Sequence, residues 1–254
     1  VGVTAESYYS WVMWFLGFPD QAETASIRAV ALARQLGHPF SLAYALTFAA
    51  LLHCRLGRAQ EAQRLAAETL KLARKHGFSL WEIGANLAHG WAQTLQGHAA
   101  GVAQIETCVK ETRQAMGGVT LVVLAPLADA LVRIGRFNEA VRSCDEALAV
   151  STHLGDHHAE AELHRLKGES LWRSDVPDLA SAEVCLQRAL TIGHNQRAMS
   201  LKLLAAMSLA QLWQSQGRLH DAKTILEAVY HEFTEGFDTP DLRAARKLLN
   251  RLAA

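Results

Sequence analysis

The sequence is poor in most of the features that announce a chemistry. Its 254 residues include four cysteines, Cys54, Cys108, Cys144 and Cys185, which lie far apart with no Cys-x-x-Cys pair. A small disulfide-stapled secreted domain is therefore excluded, and reduced thiols in the cytoplasm are expected. An excess of either charge is also missing. Twenty-five basic residues balance 25 acidic ones, which argues against a nucleic-acid partner or an anionic membrane surface. No apolar run reaches the roughly 18 residues of a membrane span. The best candidate, Leu42 to Leu52, is short and carries Tyr44 and Thr47. Proline is scarce, with five residues in a chain that is 50% apolar, so extensive disorder is excluded. There is no Gly-x-x-x-x-Gly-Lys-Ser/Thr loop and no Gly-x-Ser-x-Gly elbow. No enzyme activity and no cofactor are expected. The chain opens without a methionine or a basic-then-apolar leader, and we expect it to be part of a longer protein.

What is present is a ruler of glycines. Gly17, Gly37, Gly57, Gly77, Gly97 and Gly117 are each 20 residues apart. The series continues at Gly135, Gly155, Asp175 as a substitute, Gly193, Gly217 and Gly236. Glycine accepts the left-handed backbone that ends helices, so a regular series marks regular helix ends. Between markers the period is helical. Ala62, Leu65, Ala66, Thr69 and Ala73 form one small apolar stripe, and Glu61, Arg64, Glu68, Lys71 and Arg74 cover the opposite face. Thr120 to Leu124 reads locally as a strand but occupies a helix slot, and Pro126 should kink or delay the helix there.

Two glycine steps make one helical hairpin, so the repeat is about 40 residues. Ser10, Ala50, Gly90, Ala128, Gly168 and Ala210 each lie seven residues before a marker, where a small side chain lets paired helices approach. Ala22, Ala62, Val102, Ala140, Ala182 and Ala222 hold the corresponding small positions in the second helices. The predicted architecture is an all-α, tetratricopeptide-like right-handed superhelical solenoid over residues 1–254. Its hairpins fall at about 3–37, 38–77, 78–117, 118–155, 156–194 and 195–236, and a capping helix follows at 240–253.

The chain also resembles the C-terminal helical-repeat region of large bacterial signalling proteins, in which a class III adenylate/guanylate cyclase or another effector precedes a nucleotide-binding ATPase module. The most specific stretch is Tyr230 to Leu242 (YHEFTEGFDTPDL), followed by AARKLL. Gly17 to Ala22 (GFPDQA), Gly37 to Leu46 (GHPFSLAYAL) and Ala161 to Glu169 (AELHRLKGE) support it, while Pro126 and the Thr120-to-Leu124 run depart from the pattern. The resemblance implies a regulatory role: repeats that engage a partner or ligand and control the upstream ATPase and effector.

Counting back 13, 10, 6 and 3 residues from the loop markers gives the concave lining of such an array. In the later repeats this yields Asp129, Glu162, Arg165, Glu169, Gln211 and Gln214, with Arg133 and Arg173 beside them. These residues could hold an extended protein or peptide segment by charge-assisted hydrogen bonds, or simply pair with one another. In the first repeats the count returns Ser7, Trp11, Trp14, Tyr44 and Trp91. The N-terminal end is aromatic: Tyr8, Tyr9, Trp11, Trp14, Phe15 and Phe18. It reads as a face for upstream repeats or domains of the same chain, as a partner pocket, or as a site of self-association. His153, His157, His158 and His164, with Asp156 and Glu160, form the one histidine cluster. His157, Glu160 and His164 share a helix face at a spacing compatible with zinc, yet Gly155 to His158 reads as a loop and helix start, and no metal is expected.

Overall fold

The computed structural model describes residues 2–116 and 121–253. It contains thirteen helices and no strand among those residues. Hairpin one pairs α1 (Gly2–Phe15) with α2 (Pro19–Leu36), and hairpin two pairs α3 (Pro39–Arg55) with α4 (Ala59–His76). Hairpin three is α5 (Ser79–Leu95) with α6 (Ala100–Met116), and hairpin four is α7 (Leu121–Arg133) with α8 (Phe137–Leu154). Hairpins five and six are α9 (Glu160–Arg173) with α10 (Leu179–Asn195), and α11 (Met199–Ser215) with α12 (Leu219–Tyr230). The last helix, α13 (Pro240–Leu252), has an apolar stripe of Leu242, Ala245, Leu248 and Leu252 buried in one cluster with Leu203, Leu226 and Val229.

Nine glycines of the ruler have left-handed φ angles, from Gly17 to Gly236. Gly37 (φ 61°) is a representative case: it ends α2, and its N–H donates to the Arg34 carbonyl. Two markers behave otherwise. Gly193 lies inside α10, and the left-handed turn comes at Arg197 (φ 55°). A Cβ at Gly193 would sit 3.1 Å from the Lys202 backbone nitrogen, so this glycine serves close packing of α10 on α11 rather than chain reversal. Asp175 is not left-handed either. Ser174 is extended after α9, and Asp178 caps α10 by accepting from the Ser181 N–H at 3.0 Å. Gly117 and Thr120 lie outside the described residues. From Leu121 onward the strand-like letters are helical, and α7 begins before Pro126 rather than after it.

The small positions are packing points. Ala50, Ala128, Ala210, Ala22, Ala62, Ala140, Ala182 and Ala222 are all fully buried. Gly90 and Gly101 bring α5 and α6 so close that a Cβ at Gly90 would stand 2.8 Å from the Gly101 carbonyl oxygen, and a Cβ at Gly101 would overlap the Gly90 carbonyl. Gly101→Ala is therefore expected to destabilise the fold by about 2 kcal/mol despite alanine's better helix propensity, because backbone must move to admit the methyl. A drop in the denaturation midpoint relative to Ala99→Gly, a change outside this contact, checks it.

The array turns far enough for its two ends to meet. Ser200 Oγ at the start of α11 donates to the Trp14 carbonyl at the end of α1. Gly17 packs on Met199 and Phe233, Gly57 on Pro240, and Gly236 on Pro19. The first turn of α2 is capped from the far end of the chain. Its Asp20 and Gln21 N–H groups donate to one Glu235 carboxylate oxygen at 2.9 and 3.1 Å, and the Gly236 N–H donates to Asp20 Oδ2 at 3.0 Å. Closure shows in the surface. The chain exposes 11797 Å², within about a tenth of the roughly 11,000 Å² expected for a compact protein of its mass. An open solenoid would expose more.

Candidate functional site

Closure divides the inner surface into a polar knot and an aromatic chamber. In the knot, the Arg55 guanidinium lies over the rings of both Trp14 and Trp91, its carbon 5.4 and 4.8 Å from their centroids. Trp91 Nε1 donates to Asp129 Oδ2 at 2.6 Å, and Arg133 Nε donates to the same oxygen at 2.7 Å. Glu162 accepts two hydrogen bonds from Arg165, at 2.7 and 2.8 Å, with Arg55 3.7 Å away. Arg165 also donates to Glu169 Oε2 at 2.6 Å, and Glu169 holds Arg173 through its other oxygen. Asp129, Glu162 and Arg165 are all less than 10% exposed.

Burial alone would raise the carboxyl pKa of Asp129, but Arg133, the Trp91 N–H and Arg165 together hold it below its ordinary value. Glu162 is lowered in the same way, with burial outweighed by Arg165 and Arg55. Asp241, on the first turn of α13, faces this group across a cavity of about 20 Å³ lined also by Trp14, Arg55 and Thr239, room for about one water. Its carboxyl is pushed up to about 6, chiefly by burial and further by Glu162 and Asp129, against the opposing pull of Arg133 and Arg165.

A raised acid pKa means that the folded state holds the proton more tightly than the unfolded chain. The stability this confers is present below about pH 4 and is lost as pH rises through about 6. Asp241→Asn is expected to raise stability at pH 7.5 by on the order of 1–2 kcal/mol, the favourable helix N-terminus offsetting part of the effect, and to change little at pH 4. Melting curves of the two proteins across pH 4–8 check this.

Six residues predicted to line a groove, Asp129, Arg133, Glu162, Arg165, Glu169 and Arg173, thus satisfy one another. Gln211 and Gln214 stand apart on α11, half-buried. The N-terminal aromatics divide. Trp14 is buried in a cluster with Ala22, Leu52, Leu56, Ala198 and Leu201, so the core it completes includes the chain's own sixth hairpin. Phe18 precedes α2 and is half-buried. Tyr8, Trp11 and Phe15 face the chamber. The inward placing of Asp241 was missed, because counting from loop markers covers the hairpins and stops short of α13.

The chamber, open to solvent at Tyr8, Val12, Leu80 and Val122, has a volume of about 540 Å³ between α1, α3, α5 and α7. Tyr8, Trp11, Phe15, Phe48 and Trp81 supply its aromatic surface, and Leu51, Ile83, Leu87 and Val122 much of the remainder. Phe48 is the hub, stacked on Tyr44 at 4.5 Å with the edges of Tyr8 and Trp11 at 5.4 and 6.0 Å. Three of the wall's donors are committed to backbone, while the buried Trp81 Nε1 has no partner among the described residues. Trp11 Nε1 donates to the Phe48 carbonyl, Thr47 to that of Ala43, and Thr112 to that of Cys108. The loop before α9 contributes to its lining, with His158 edge-on to Phe15 at 6.5 Å and Nδ1 of His158 bonded to Asp156 Oδ1 at 2.6 Å. His157 pairs with Glu160 instead, and among the described residues no three His, Cys, Asp or Glu side chains are grouped to share a metal ion.

A hairpin array with small residues at every crossing defines a class, the tetratricopeptide-type helical repeat. Residues 120–160 match the tetratricopeptide repeat family, across hairpin four and the entry to α9. No curated protein matches the chain by sequence. Among solved structures it is similar to a Signal Transduction ATPase with Numerous Domains from Pyrococcus horikoshii that carries a tetratricopeptide repeat sensor. The TM-score is 0.52 at 13% identity, covering 98% of this chain and 38% of that protein. It is similar also to a kinesin light chain of Podospora anserina with nearly identical repeats. There the TM-score is 0.52 at 18% identity, covering 84% of this chain and 99% of the other. The chain spans well under half of the Pyrococcus protein, and likeness at these identities speaks to the fold.

Proposed function

We propose that this chain is a non-catalytic regulatory and interaction module of a bacterial cytoplasmic signalling protein, following an ATPase and an effector such as a nucleotide cyclase, and that it engages a protein or peptide partner on its concave face. The observation that carries this reading is the aromatic chamber. It leaves a large apolar surface uncovered on the inner face of an otherwise well-packed solenoid, and tryptophan and tyrosine there are the side chains that anchor partners best. The tail that carries the sequence resemblance gains a physical role that fits: Glu235 to Asp241 joins the array's two ends. The sensor-bearing ATPase among the structural relatives is in keeping with a regulatory place in a longer chain. No helix among the described residues is long and apolar enough to cross a membrane.

The test is affinity capture from source-cell lysate by the wild type and by Tyr8→Glu/Val122→Glu, two changes at exposed chamber positions. A protein retained by the wild type and lost by the variant supports the reading. Retention by both moves the partner elsewhere, with Arg133, Arg173, Gln211 and Gln214 the remaining polar strip and Tyr9 the exposed aromatic available for self-association. A second reading, a small-molecule or peptide sensor, is favoured by one specific feature: the chamber of about 540 Å³ has the size of a small-ligand site, with Asp156 and His158 in its lining.

A further inference from the structure

We infer that the aromatic chamber binds a small, ring-bearing organic cation, its charge at the Asp156 end and its apolar body among Tyr8, Trp11, Phe48 and Trp81. This inference rests on the sensor reading and names its ligand.

Size comes first. A cavity of about 540 Å³ is in the range that encloses a single drug-sized molecule. A peptide backbone inside the chamber fits poorly, unlike a single side chain inserted by a docked partner, because each residue brings an N–H and a carbonyl that need partners. Trp11, Thr47 and Thr112 have already donated their protons to backbone carbonyls, and among the described residues Trp81 Nε1 is the one buried side-chain N–H of the lining without a partner. A ring system needs no such partners and packs against aromatic faces.

Charge decides the head group. Of the residues lining the chamber, Asp156 is the one carboxylate, and neither lysine nor arginine is among them. Asp156 uses Oδ1 for His158 and its carboxyl stays below the ordinary value, burial being outweighed by the two neighbouring histidines. Five aromatic side chains line the same chamber, and the face of such a ring attracts a cation placed over it. An anion would meet repulsion from Asp156, and a neutral molecule would lack the attraction that this carboxylate offers a cation.

The test uses three fluorescent dyes on the intact chain: N-(1-naphthyl)ethylenediamine, a naphthylamine whose terminal ammonium localises the positive charge at one end; N-phenyl-1-naphthylamine, neutral; and 8-anilinonaphthalene-1-sulfonate, which adds a sulfonate to the naphthylamine body. Tryptophan quenching or dye fluorescence gives each Kd. The cation is expected to bind at least tenfold more tightly than the anion. Asp156→Asn should weaken the cation by about fivefold and leave the neutral dye unchanged, and Val122→Trp should abolish binding of all three while melting like the wild type. Equal affinity for cation and anion, or cation binding indifferent to Asp156→Asn, would overturn the inference. So would dye binding that survives Val122→Trp, which places the dyes outside the chamber. Absence of any dye binding overturns it as well, yet leaves the interaction reading standing if lysate capture still yields a partner that depends on Tyr8 and Val122.

Discussion

Asp129→Ala is expected to lower folding stability by about 3–5 kcal/mol, the range for removing one member of a buried charged pair. The carboxylate stands where α5 and α7 meet the centre of the array, accepting from both the Trp91 indole and the Arg133 guanidinium. Its removal leaves the indole N–H without an acceptor and strips the nearest negative charge from Arg133. Asp129→Asn should fall between alanine and wild type, since one amide oxygen can still accept from Trp91 while the charge is lost. Chemical denaturation of the three proteins at pH 7 measures the order. The wild-type advantage should shrink below pH 4, because a carboxyl held below its ordinary value contributes stability above the unfolded value and loses it as pH falls through the folded one.

Trp14→Ala is expected to cost about 3–5 kcal/mol as well, for a different reason. The ring is 3% exposed and fills the space between α1, α3 and the start of α11, with Arg55 stacked on it. Its removal empties the junction where hairpin one meets hairpin six. The damage should therefore be local first. Hydrogen exchange at the Asp20 and Gln21 amides, protected in the wild type by Glu235, is expected to accelerate more than exchange in α5 or α6. Uniform acceleration across the chain would show that Trp14 supports the whole core rather than the seam.

Most of the fold was legible because it is built from short-range rules. Glycine at a helix end and alanine at a crossing each act within a turn or two, and a 40-residue period repeats them often enough to count. Failures came where one residue type serves two purposes. Gly193 sits on the ruler but exists for the approach to Lys202, and Arg197 makes the turn in its place. The candidate site was legible in part. Counting from the loops picked out side chains that are buried, Trp14, Trp91, Asp129, Glu162 and Arg165 among them, and Trp11, which lines the chamber. It could not show that the array closes. Closure depends on Glu235 capping a helix that begins more than 200 residues earlier, and on Asp241 arriving beside Arg55 and Trp14. No local pattern encodes such contacts. Where the ends meet, Asp129, Glu162 and Arg165 are buried and hydrogen-bonded within a polar knot, and the aromatics beside it line a chamber.

That closure is the central claim, and small-angle X-ray scattering of the monomeric chain tests it most directly. A closed array predicts a radius of gyration near that of a compact protein of this length, about 18–20 Å, rising in Trp14→Ala. An elongated profile in the wild type, with a radius well above that range and unchanged by Trp14→Ala, would contradict it.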